Sequence, residues 1–270
     1  MKFLQRFIFF IIISILSNSC APNPYGTTNK AYKKQAKSYA KVLAKYPIAD
    51  SVNNAPAFIG TVNFNMRKPN FVIIHHTAQD SCEQTLKTFT TVRSQVSAHY
   101  VICKDGTVHH MLNDYLRAWH GGVSKWGNMT DINSSSIGIE LDNNGFETFA
   151  EPQINSLIQL LTRLKNAYNI PVTNFIGHAD IAPGRKVDPN KYFPWQQLSE
   201  QGFGIWYDTA GVQVPPDFNA MQALRIIGYD IKKPEAAIQS FKLHFNSADS
   251  SVAITDDDKK ILSALVNKYQ

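Results

Sequence analysis

The segment Phe71-Val72-Ile73-Ile74-His75-His76 decides the fold of this chain. Its four apolar residues, three of them β-branched, are typical of a short strand that is buried on both faces. Such strands occur where helices cover both sides of a sheet, which indicates an α/β domain. Two histidines close the strand, and strand ends are where α/β proteins build their functional sites.

Further strands and one long helix follow in the chain, as an α/β domain requires. Apolar and turn residues predict a strand over 99–108 with a hairpin turn at 104–106, a strand over 136–141, an amphipathic helix over 154–168 and a short strand over 175–177. A loop rich in proline and glycine follows the last strand. We expect these elements to form one domain within residues 61–205.

The C-terminal part has a different pattern, which contains helices only. Helices are predicted over residues 219–227 with Gly228 as the stop, over 235–245, and over 256–269 after Thr255 as the N-cap. We therefore expect a small all-α domain over residues 206–270.

The first residues of the sequence predict export. Lys2 and Arg6 lie before an apolar run over residues 7–16. This run is too short to span a bilayer as a permanent helix. This order of charge and apolar residues is typical of a secretory signal peptide. We therefore assign residues 1–19 to a signal peptide and expect the mature protein to be exported.

Cys20 follows this segment and carries a second targeting prediction. Residues 16–20, Leu-Ser-Asn-Ser-Cys, resemble the processing site of bacterial lipoproteins, where the cysteine is acylated and becomes the first residue. Simple cleavage near Ser19 is the alternative. With the lipid, residues 20–60 form a membrane-anchored tether and a basic helix over 29–46. The resemblance also implies that the non-acidic residue after Cys20 favours the outer membrane, with the protein facing the periplasm.

Composition and charge exclude several classes of function. The 270 residues are 44% hydrophobic and 18% charged, which is ordinary for a globular protein and excludes a disordered or collagen-like chain. The net charge of +6 is a mild bias, so we expect no nucleic-acid partner. The three cysteines lack the C-x-x-C spacing of a thiolate metal site. Cys82 and Cys103 are expected either as a disulfide or as two buried thiols.

Chemistry-bearing side chains gather at the ends of the first and last strands of the predicted sheet. They are His75, His76, His178, Asp180, Arg185, Lys186 and Asp188. Two imidazoles, one carboxylate and an open position make a catalytic zinc site. From the spacing of these residues in the sequence alone, zinc binding is one of several interpretations of this cluster.

The strand over residues 136–141 places a carboxylate among small residues. Because side chains alternate along a strand, Glu140 shares its face with Ser136 and Gly138, whereas the large aliphatic residues face the other side. Serine and glycine leave the open space that a substrate groove needs, which makes Glu140 the best candidate for a general base. The alternative is a solvated glutamate on an exposed strand face.

Seven motifs occur in order over about residues 70–204: Ile74-His75-His76-Thr77-Ala78, Ser97-Ala98-His99-Tyr100, Asp105-Gly106-Thr107-Val108, Ala118-Trp119-His120-Gly121-Gly122, Ser136-Ile137-Gly138-Ile139-Glu140-Leu141, Gly177-His178-Ala179-Asp180-Ile181-Ala182-Pro183-Gly184-Arg185-Lys186-Val187-Asp188-Pro189 and Phe193-Pro194-Trp195. Together they resemble the zinc-dependent N-acetylmuramoyl-L-alanine amidases of family 2, which share the fold of peptidoglycan recognition proteins. Within this family, the resemblance is closest to the outer-membrane lipoprotein amidases. It implies a mixed central sheet flanked by helices. Residues 206–270 resemble the small peptidoglycan-binding domain that accompanies such enzymes.

The resemblance implies roles for individual residues. His75, as the first histidine of the family's I-H-x-T motif, is an implied zinc ligand together with His178 and Asp188. Glu140 is implied as the catalytic acid/base, and Lys186 as the cation that stabilises the transition state. Zn²⁺ is therefore the expected cofactor.

Five further histidines are not implied as metal ligands. His120 is a candidate for the substrate groove, His99 is expected to be structural, and His109, His110 and His244 are expected at the surface.

The implied function is hydrolysis of the amide bond between N-acetylmuramic acid, or its 1,6-anhydro form, and the L-alanine of the stem peptide. The substrates would be peptidoglycan and muropeptides. The alternative is a non-catalytic muropeptide-binding protein on the same fold.

Overall fold

The fold is built around a five-stranded sheet, in a computed structural model that describes residues 23–45 and 61–269. The strands are β1 (Phe71–His76), β2 (Tyr100–Ile102), β3 (Val108–His110), β4 (Ser136–Leu141) and β5 (Phe175–Gly177). Their order in the sheet is β3-β2-β4-β1-β5, with β3 antiparallel to β2 and every other pair parallel. The sheet is therefore mixed, which confirms the expected fold class.

Eight α-helices lie in the described residues. They are α1 (Gly26–Leu43), α2 (Cys82–Thr90), α3 (Glu151–Tyr168), α4 (His178–Ile181), α5 (Trp195–Glu200), α6 (Ala220–Ile227), α7 (Pro234–Phe245) and α8 (Asp256–Tyr269). The C-terminal helices begin and end within one residue of the positions that the sequence predicts. Asn219 caps α6 and Gly228 follows its last residue, while the Thr255 hydroxyl accepts the N–H of Asp258 at the start of α8.

The segment predicted as one strand with a turn is a short hairpin. The Cys103 N–H donates to the Thr107 carbonyl at 2.9 Å across the turn between β2 and β3. Gly106 has a φ of +88°, and a Cβ there would lie 2.8 Å from the Pro152 carbonyl oxygen. The turn therefore requires glycine both for its backbone conformation and for its closeness to α3.

One face of the sheet packs under α3. The large aliphatic residues of β4 form a buried cluster with the apolar stripe of this helix: Ile137, Ile139, Leu141, Leu157, Leu161 and Leu164. Replacing one such leucine by alanine costs about 2–5 kcal/mol. The helix begins at Glu151, three residues before the predicted start, because Pro152 is favourable in a first helical turn.

The opposite face packs against the C-terminal helices. Ile73 of β1 belongs to a buried cluster that includes Leu224 of α6, Phe241 of α7 and Leu262 of α8. The segment Asn65–Gln270 is one compact unit. A domain boundary after residue 205 stays a prediction. Because side chains alternate along β1, the face with Ile73 is also the face of the first histidine at the strand end.

Helix α1 belongs to a separate unit, Met1–Phe64, and is described by itself. It begins three residues before the predicted start, none of its residues is buried, and it contains no acidic residue in its first turn. The last predicted residue of this helix, Tyr46, lies outside the described residues, as do Cys20 and the predicted signal peptide. Within the described ranges, no helix has the length and apolar character needed to cross a membrane.

Cys82 and Cys103 are joined by a disulfide. The bond connects the first residue of α2 to the residue that follows β2, and both cysteines are buried. The structure therefore confirms the disulfide, which was one of the two alternatives expected from the sequence.

Candidate active site

Two imidazoles and one carboxylate meet where β1 and β5 end. His75 belongs to β1, His178 opens α4 directly after β5, and Asp188 lies on the loop that follows. His75 Nδ1 lies 2.9 Å from His178 Nδ1 and 3.0 Å from Asp188 Oδ2. His178 Nδ1 lies 2.9 Å from the same carboxylate oxygen, and all three residues are buried. The fold thus brings together the three residues that the resemblance implied as metal ligands.

The charge states in this cluster suit metal binding. Burial lowers the pKa of the His75 imidazole to about 4, and the neighbouring His178 acts in the same direction, against the opposing effect of Asp188. Burial by itself would raise the pKa of Asp188, but its close contacts with the imidazoles of His178 and His75 outweigh burial and hold this pKa well below the ordinary value. His75 is therefore neutral and Asp188 ionised at neutral pH, the forms in which these residues bind metals.

The donor set fits a zinc ion. Zinc binds imidazole nitrogen and carboxylate oxygen at about 2.0–2.2 Å, which in a tetrahedron separates the ligand atoms by about 3.3–3.5 Å. The ligand atoms of His75, His178 and Asp188 are 2.9–3.0 Å apart. A small outward movement of the side chains would therefore admit the ion. Three protein ligands would leave a fourth position for water, as in catalytic zinc sites.

The outward nitrogens of both histidines also have partners. His75 Nε2 lies 3.1 Å from His120 Nδ1, and His178 Nε2 lies 3.2 Å from the Gly121 carbonyl oxygen. Because a carbonyl oxygen only accepts, a proton on His178 Nε2 satisfies the Gly121 contact and leaves Nδ1 unprotonated toward the cluster, as metal binding requires. Metal-binding histidines are commonly oriented by such a partner on the second nitrogen.

Glu140 lies beside His75 in the sheet. The two residues are paired in the parallel register of β1 and β4, and Glu140 Oε1 is 4.0 Å from His75 Nδ1. Burial raises the pKa of Glu140 well above its ordinary value, and the Asp188 charge raises it further, while the Lys186 ammonium opposes both. A raised pKa moves a carboxyl group toward the neutral range in which general acid–base catalysts work best.

Arg185 and Lys186 lie on the loop between α4 and Asp188 but are used differently. Arg185 is exposed, but its guanidinium is engaged, since Nη2 donates to the Gly121 carbonyl at 2.6 Å and Nε donates to the Val123 carbonyl at 3.0 Å. Lys186 is partly exposed, and among the described residues its ammonium makes no hydrogen bond or ion pair. Its charge is therefore available to a substrate that approaches Glu140.

The small residues of β4 do not leave open space. A Cβ at Gly138 would lie 2.4 Å from the His120 ring, so this imidazole fills the volume above the glycine. The predicted groove over Ser136 and Gly138 is therefore wrong, and of this strand face only Glu140 borders the ligand cluster. His120, the candidate groove residue, is buried behind His75.

The turn that carries His178 is held by the C-terminal helices. Asp180 Oδ2 accepts the N–H of Gly177 at 2.7 Å and lies 2.7 Å from His244 Nδ1. Asp180 Oδ1 accepts the Tyr229 hydroxyl at 2.7 Å. A buried carboxylate thus joins the end of β5 to residues of the C-terminal part of the chain.

The expectation of a surface position for His244 is wrong. Its ring is buried and stacks on Trp195 with 3.9 Å between ring centroids. His244 follows Phe241 by three residues on α7, so the helical spacing of apolar residues could have placed it on the buried face. His99 is buried, as expected of a structural residue, and its Nδ1 accepts the Gly138 N–H. His110 is exposed.

Two histidines at parallel strand ends, an aspartate on the following loop and a buried glutamate form a set that suits a metal-assisted hydrolase. The chain belongs to the N-acetylmuramoyl-L-alanine amidase family, whose model matches residues 65–191. The resemblance stated from the sequence is thereby confirmed, and the chain is an enzyme rather than a non-catalytic binding protein.

Individual relatives, compared by sequence and by structure, support the assignment to this family. The N-acetylmuramoyl-L-alanine amidase AmiD of Escherichia coli is 29% identical over 298 residues, which cover 98% of this chain and 99% of AmiD. A solved complex of that amidase with anhydro-N-acetylmuramic acid-L-Ala-D-gamma-Glu-L-Lys has a TM-score of 0.68, 31% identity, and covers 82% of this chain and 95% of its own. The 1,6-anhydro-N-acetylmuramyl-L-alanine amidase AmpD of Haemophilus influenzae is 38% identical over 104 residues, 38% of this chain and 56% of AmpD.

Proposed function

We propose that this amidase uses zinc to hydrolyse the amide bond between N-acetylmuramic acid, or its 1,6-anhydro form, and the L-alanine of the stem peptide. The observation that carries the proposal is the convergence of His75, His178 and Asp188 within hydrogen-bond distance of one another, next to Glu140. The substrate class is supported by the solved complex of AmiD with the substrate anhydro-N-acetylmuramic acid-L-Ala-D-gamma-Glu-L-Lys.

Each residue has a defined part in this proposal. His75, His178 and Asp188 would hold the ion, which when bound supplies a Lewis acid that acidifies water and polarises a carbonyl. Glu140 accepts a proton from the attacking water and passes it to the amine nitrogen of the departing L-alanine.

Lys186 acts on the charge that develops at the scissile carbonyl. The tetrahedral transition state places negative charge on the carbonyl oxygen, and a cation aimed at that oxygen is worth about 3 kcal/mol in comparable sites. The partly exposed ammonium of Lys186, at the loop that also carries Asp188, is the side chain that supports this role.

Digestion of purified muropeptides by the full-length protein tests the activity and the metal together. Mass spectrometry is expected to detect release of an intact L-alanyl stem peptide, loss of that release with a chelator, and its return with Zn²⁺. The same experiment with anhydro and ordinary muramic acid ranks the two substrates. A folded, zinc-loaded protein that releases no stem peptide would overturn the proposal.

We further propose that the enzyme is anchored in the outer membrane by a lipid on Cys20 and faces the periplasm. The sequence at residues 16–20 supports this, and so does α1, which follows closely. At 100° per residue, Lys30, Lys33, Lys34, Lys37 and Lys41 fall within an arc of roughly 100° on α1, a basic face suited to anionic headgroups.

Metabolic labelling with a palmitate analogue tests the anchor. The wild-type chain is expected to take up the label and to fractionate with outer membranes. Cys20→Ala is expected to remain unlabelled, and Cys82→Ala serves as the control for labelling of other cysteines. Equal labelling of wild type and Cys20→Ala would contradict the lipid anchor.

A further inference from the structure

A chain of hydrogen bonds runs inward from His75, away from the ligand cluster. His75 Nε2 lies 3.1 Å from His120 Nδ1, and His120 Nε2 lies 3.1 Å from the Ser136 hydroxyl. Ser136 Oγ lies 2.7 Å from the carbonyl oxygen of Ile132. The three side chains are 1%, 8% and 0% exposed. Bulk water therefore does not compete for these contacts.

The Ile132 carbonyl oxygen at the end of this chain can only accept, which favours one direction for every bond in it. A carbonyl oxygen has no proton, so the Ser136 hydroxyl donates its single proton to Ile132. The serine oxygen is then an acceptor for His120 Nε2–H. A neutral imidazole with its proton on Nε2 has an unprotonated Nδ1, and this nitrogen accepts the proton of His75 Nε2. His75 is left with an unprotonated Nδ1.

The unprotonated nitrogen is the one that faces the cluster. His75 Nδ1 is the atom that lies 2.9 Å from His178 Nδ1 and 3.0 Å from Asp188 Oδ2. If the chain of bonds ran in the opposite direction, His75 would carry its proton on Nδ1 and could not bind a metal through that atom. The direction of the buried hydrogen bonds therefore decides whether His75 can bind a metal through Nδ1.

His120 is suited to this task by its surroundings. Its ring contacts the rings of His75 and His99 and lies against Gly138, and no carboxylate hydrogen-bonds to it among the described residues. In its neutral form this buried ring has one donor and one acceptor nitrogen, which matches its two hydrogen-bond partners. A Cβ at Gly138 would lie 2.4 Å from this ring, so the ring fits only above a glycine.

We propose that His120 and Ser136 are positioning residues that hold His75 in the tautomer able to bind zinc through Nδ1. The inference rests on the proposed zinc site. It also explains the pattern of β4, in which Ser136 anchors the chain of bonds, Gly138 admits the imidazole, and Glu140 lies beside His75.

Two neighbouring serines provide a matched pair of variants. Ser135 and Ser136 both hydrogen-bond to the Ile132 carbonyl, but only Ser136 reaches His120. Zinc affinity of the full-length protein is measured by competition with a chromogenic chelator. Ser136→Ala is expected to weaken zinc binding about tenfold, the lower end of the effect of losing an outer partner of a metal-bound histidine. Ser135→Ala is expected to bind zinc like the wild type.

Variants of His120 test the acceptor directly. His120→Leu leaves His75 Nε2 without a partner and is expected to weaken zinc binding about 10–100-fold. His120→Asn places an amide oxygen near the position of Nδ1, and it is expected to restore most of that loss. In the His120→Asn background, Ser136→Ala is expected to have no further effect, because the amide oxygen can only accept.

Nitrogen-15 NMR of the zinc-loaded protein gives a readout independent of activity. Long-range ¹H–¹⁵N correlation is expected to show His120 protonated on Nε2 and unprotonated on Nδ1. The opposite tautomer, or equal zinc affinity in Ser136→Ala and wild type, would overturn the positioning role while leaving the proposed function intact. A wild-type protein that binds no zinc would overturn both. Circular dichroism at the assay temperature identifies any variant that has lost its fold.

Discussion

The Tyr229 hydroxyl donates a 2.7 Å hydrogen bond to Asp180, which lies 49 residues earlier in the chain and two residues after His178. His244 contacts the other oxygen of the same carboxylate. Tyr229, in the loop after α6, and His244 of α7 thus hold the turn that presents a candidate metal ligand. Residues 206–270 therefore have a structural connection to the site in addition to the glycan binding expected from their resemblance.

Tyr229→Phe tests this connection. The change removes one hydrogen bond from a buried carboxylate, which costs about 1–3 kcal/mol. We expect a lower midpoint of thermal unfolding and an equal loss of kcat/KM on soluble muropeptides and on intact peptidoglycan. Tyr115→Phe, at an exposed tyrosine, is the control. A loss confined to intact peptidoglycan would instead assign the C-terminal segment to binding of the polymer.

Glu140→Ala separates chemistry from metal binding. Glu140 lies 4.0 Å from His75 Nδ1 and outside the closely spaced ligand set, so the variant is expected to retain bound zinc. Loss of the acid/base lowers kcat by about 10²–10⁴-fold. His75→Ala is the comparison, because it is expected to lose both zinc and activity. Metal content by atomic emission and turnover by mass spectrometry check both, and an active Glu140→Ala protein would contradict the assigned role.

The elements that carry strong local patterns could be predicted from the sequence. The apolar run of β1, the alternation along β4 and the helical spacing of α3 are properties of short segments, and each element lies where its pattern indicates. The hairpin turn could also be predicted, because such a turn requires a backbone conformation that glycine adopts and few other residues do, and Gly106 supplies it.

The parts of the site that depend on distant contacts could not be derived in this way. The alternation of side chains along β1 does not show whether His75 or His76 is the metal ligand. That choice depends on which face of the sheet meets the loop of Asp188, and no local pattern gives this face. His120 lies 45 residues from His75 in sequence and is positioned by a loop, so no local pattern reveals their contact. The open space inferred above Gly138 was wrong for the same reason, since the side chain that fills it comes from elsewhere in the chain.

Lys186→Met tests the role of the loop cation. If the ammonium stabilises charge that develops only in the transition state, kcat and kcat/KM fall together by about 10²–10³-fold. Steady-state kinetics on a soluble muropeptide provide this measurement. Lys232→Met, at an exposed lysine, is the matched control. An increase in KM with unchanged kcat would show that Lys186 contributes to substrate binding alone.

The disulfide is expected to stabilise the fold. Cys82 and Cys103 are 21 residues apart in sequence, and closing a loop of that length removes about 3 kcal/mol of chain entropy from the unfolded state. Replacing both cysteines by serine should lower the free energy of unfolding in urea by about that amount. Reductant should destabilise the wild type but leave the double variant unchanged. Equal sensitivity of both proteins to reductant would contradict the prediction.

Asp114 is expected to make stability depend on acid pH. This buried carboxylate accepts the hydroxyls of Tyr100 at 2.6 Å and Tyr168 at 2.8 Å, and it lies 3.3 Å from His110 Nε2. Burial by itself would raise its pKa, but the hydrogen bonds outweigh burial and lower the pKa of Asp114 to about 2.

The sign of the pH effect follows from this lowered pKa. A carboxyl group with a lower pKa in the folded state than the ~3.9 of an unfolded chain stabilises the fold above that value. The contribution of Asp114 is therefore fully present at neutral pH and is lost as pH falls from about 4 through about 2. Asp114→Asn keeps the shape of the side chain but cannot ionise. Urea unfolding at pH 7, 4 and 2.5 should show the two proteins converging in stability as pH falls, because the wild type alone loses the contribution of the charge. A difference between them that stays constant over this range would show that the ionised form of Asp114 does not contribute.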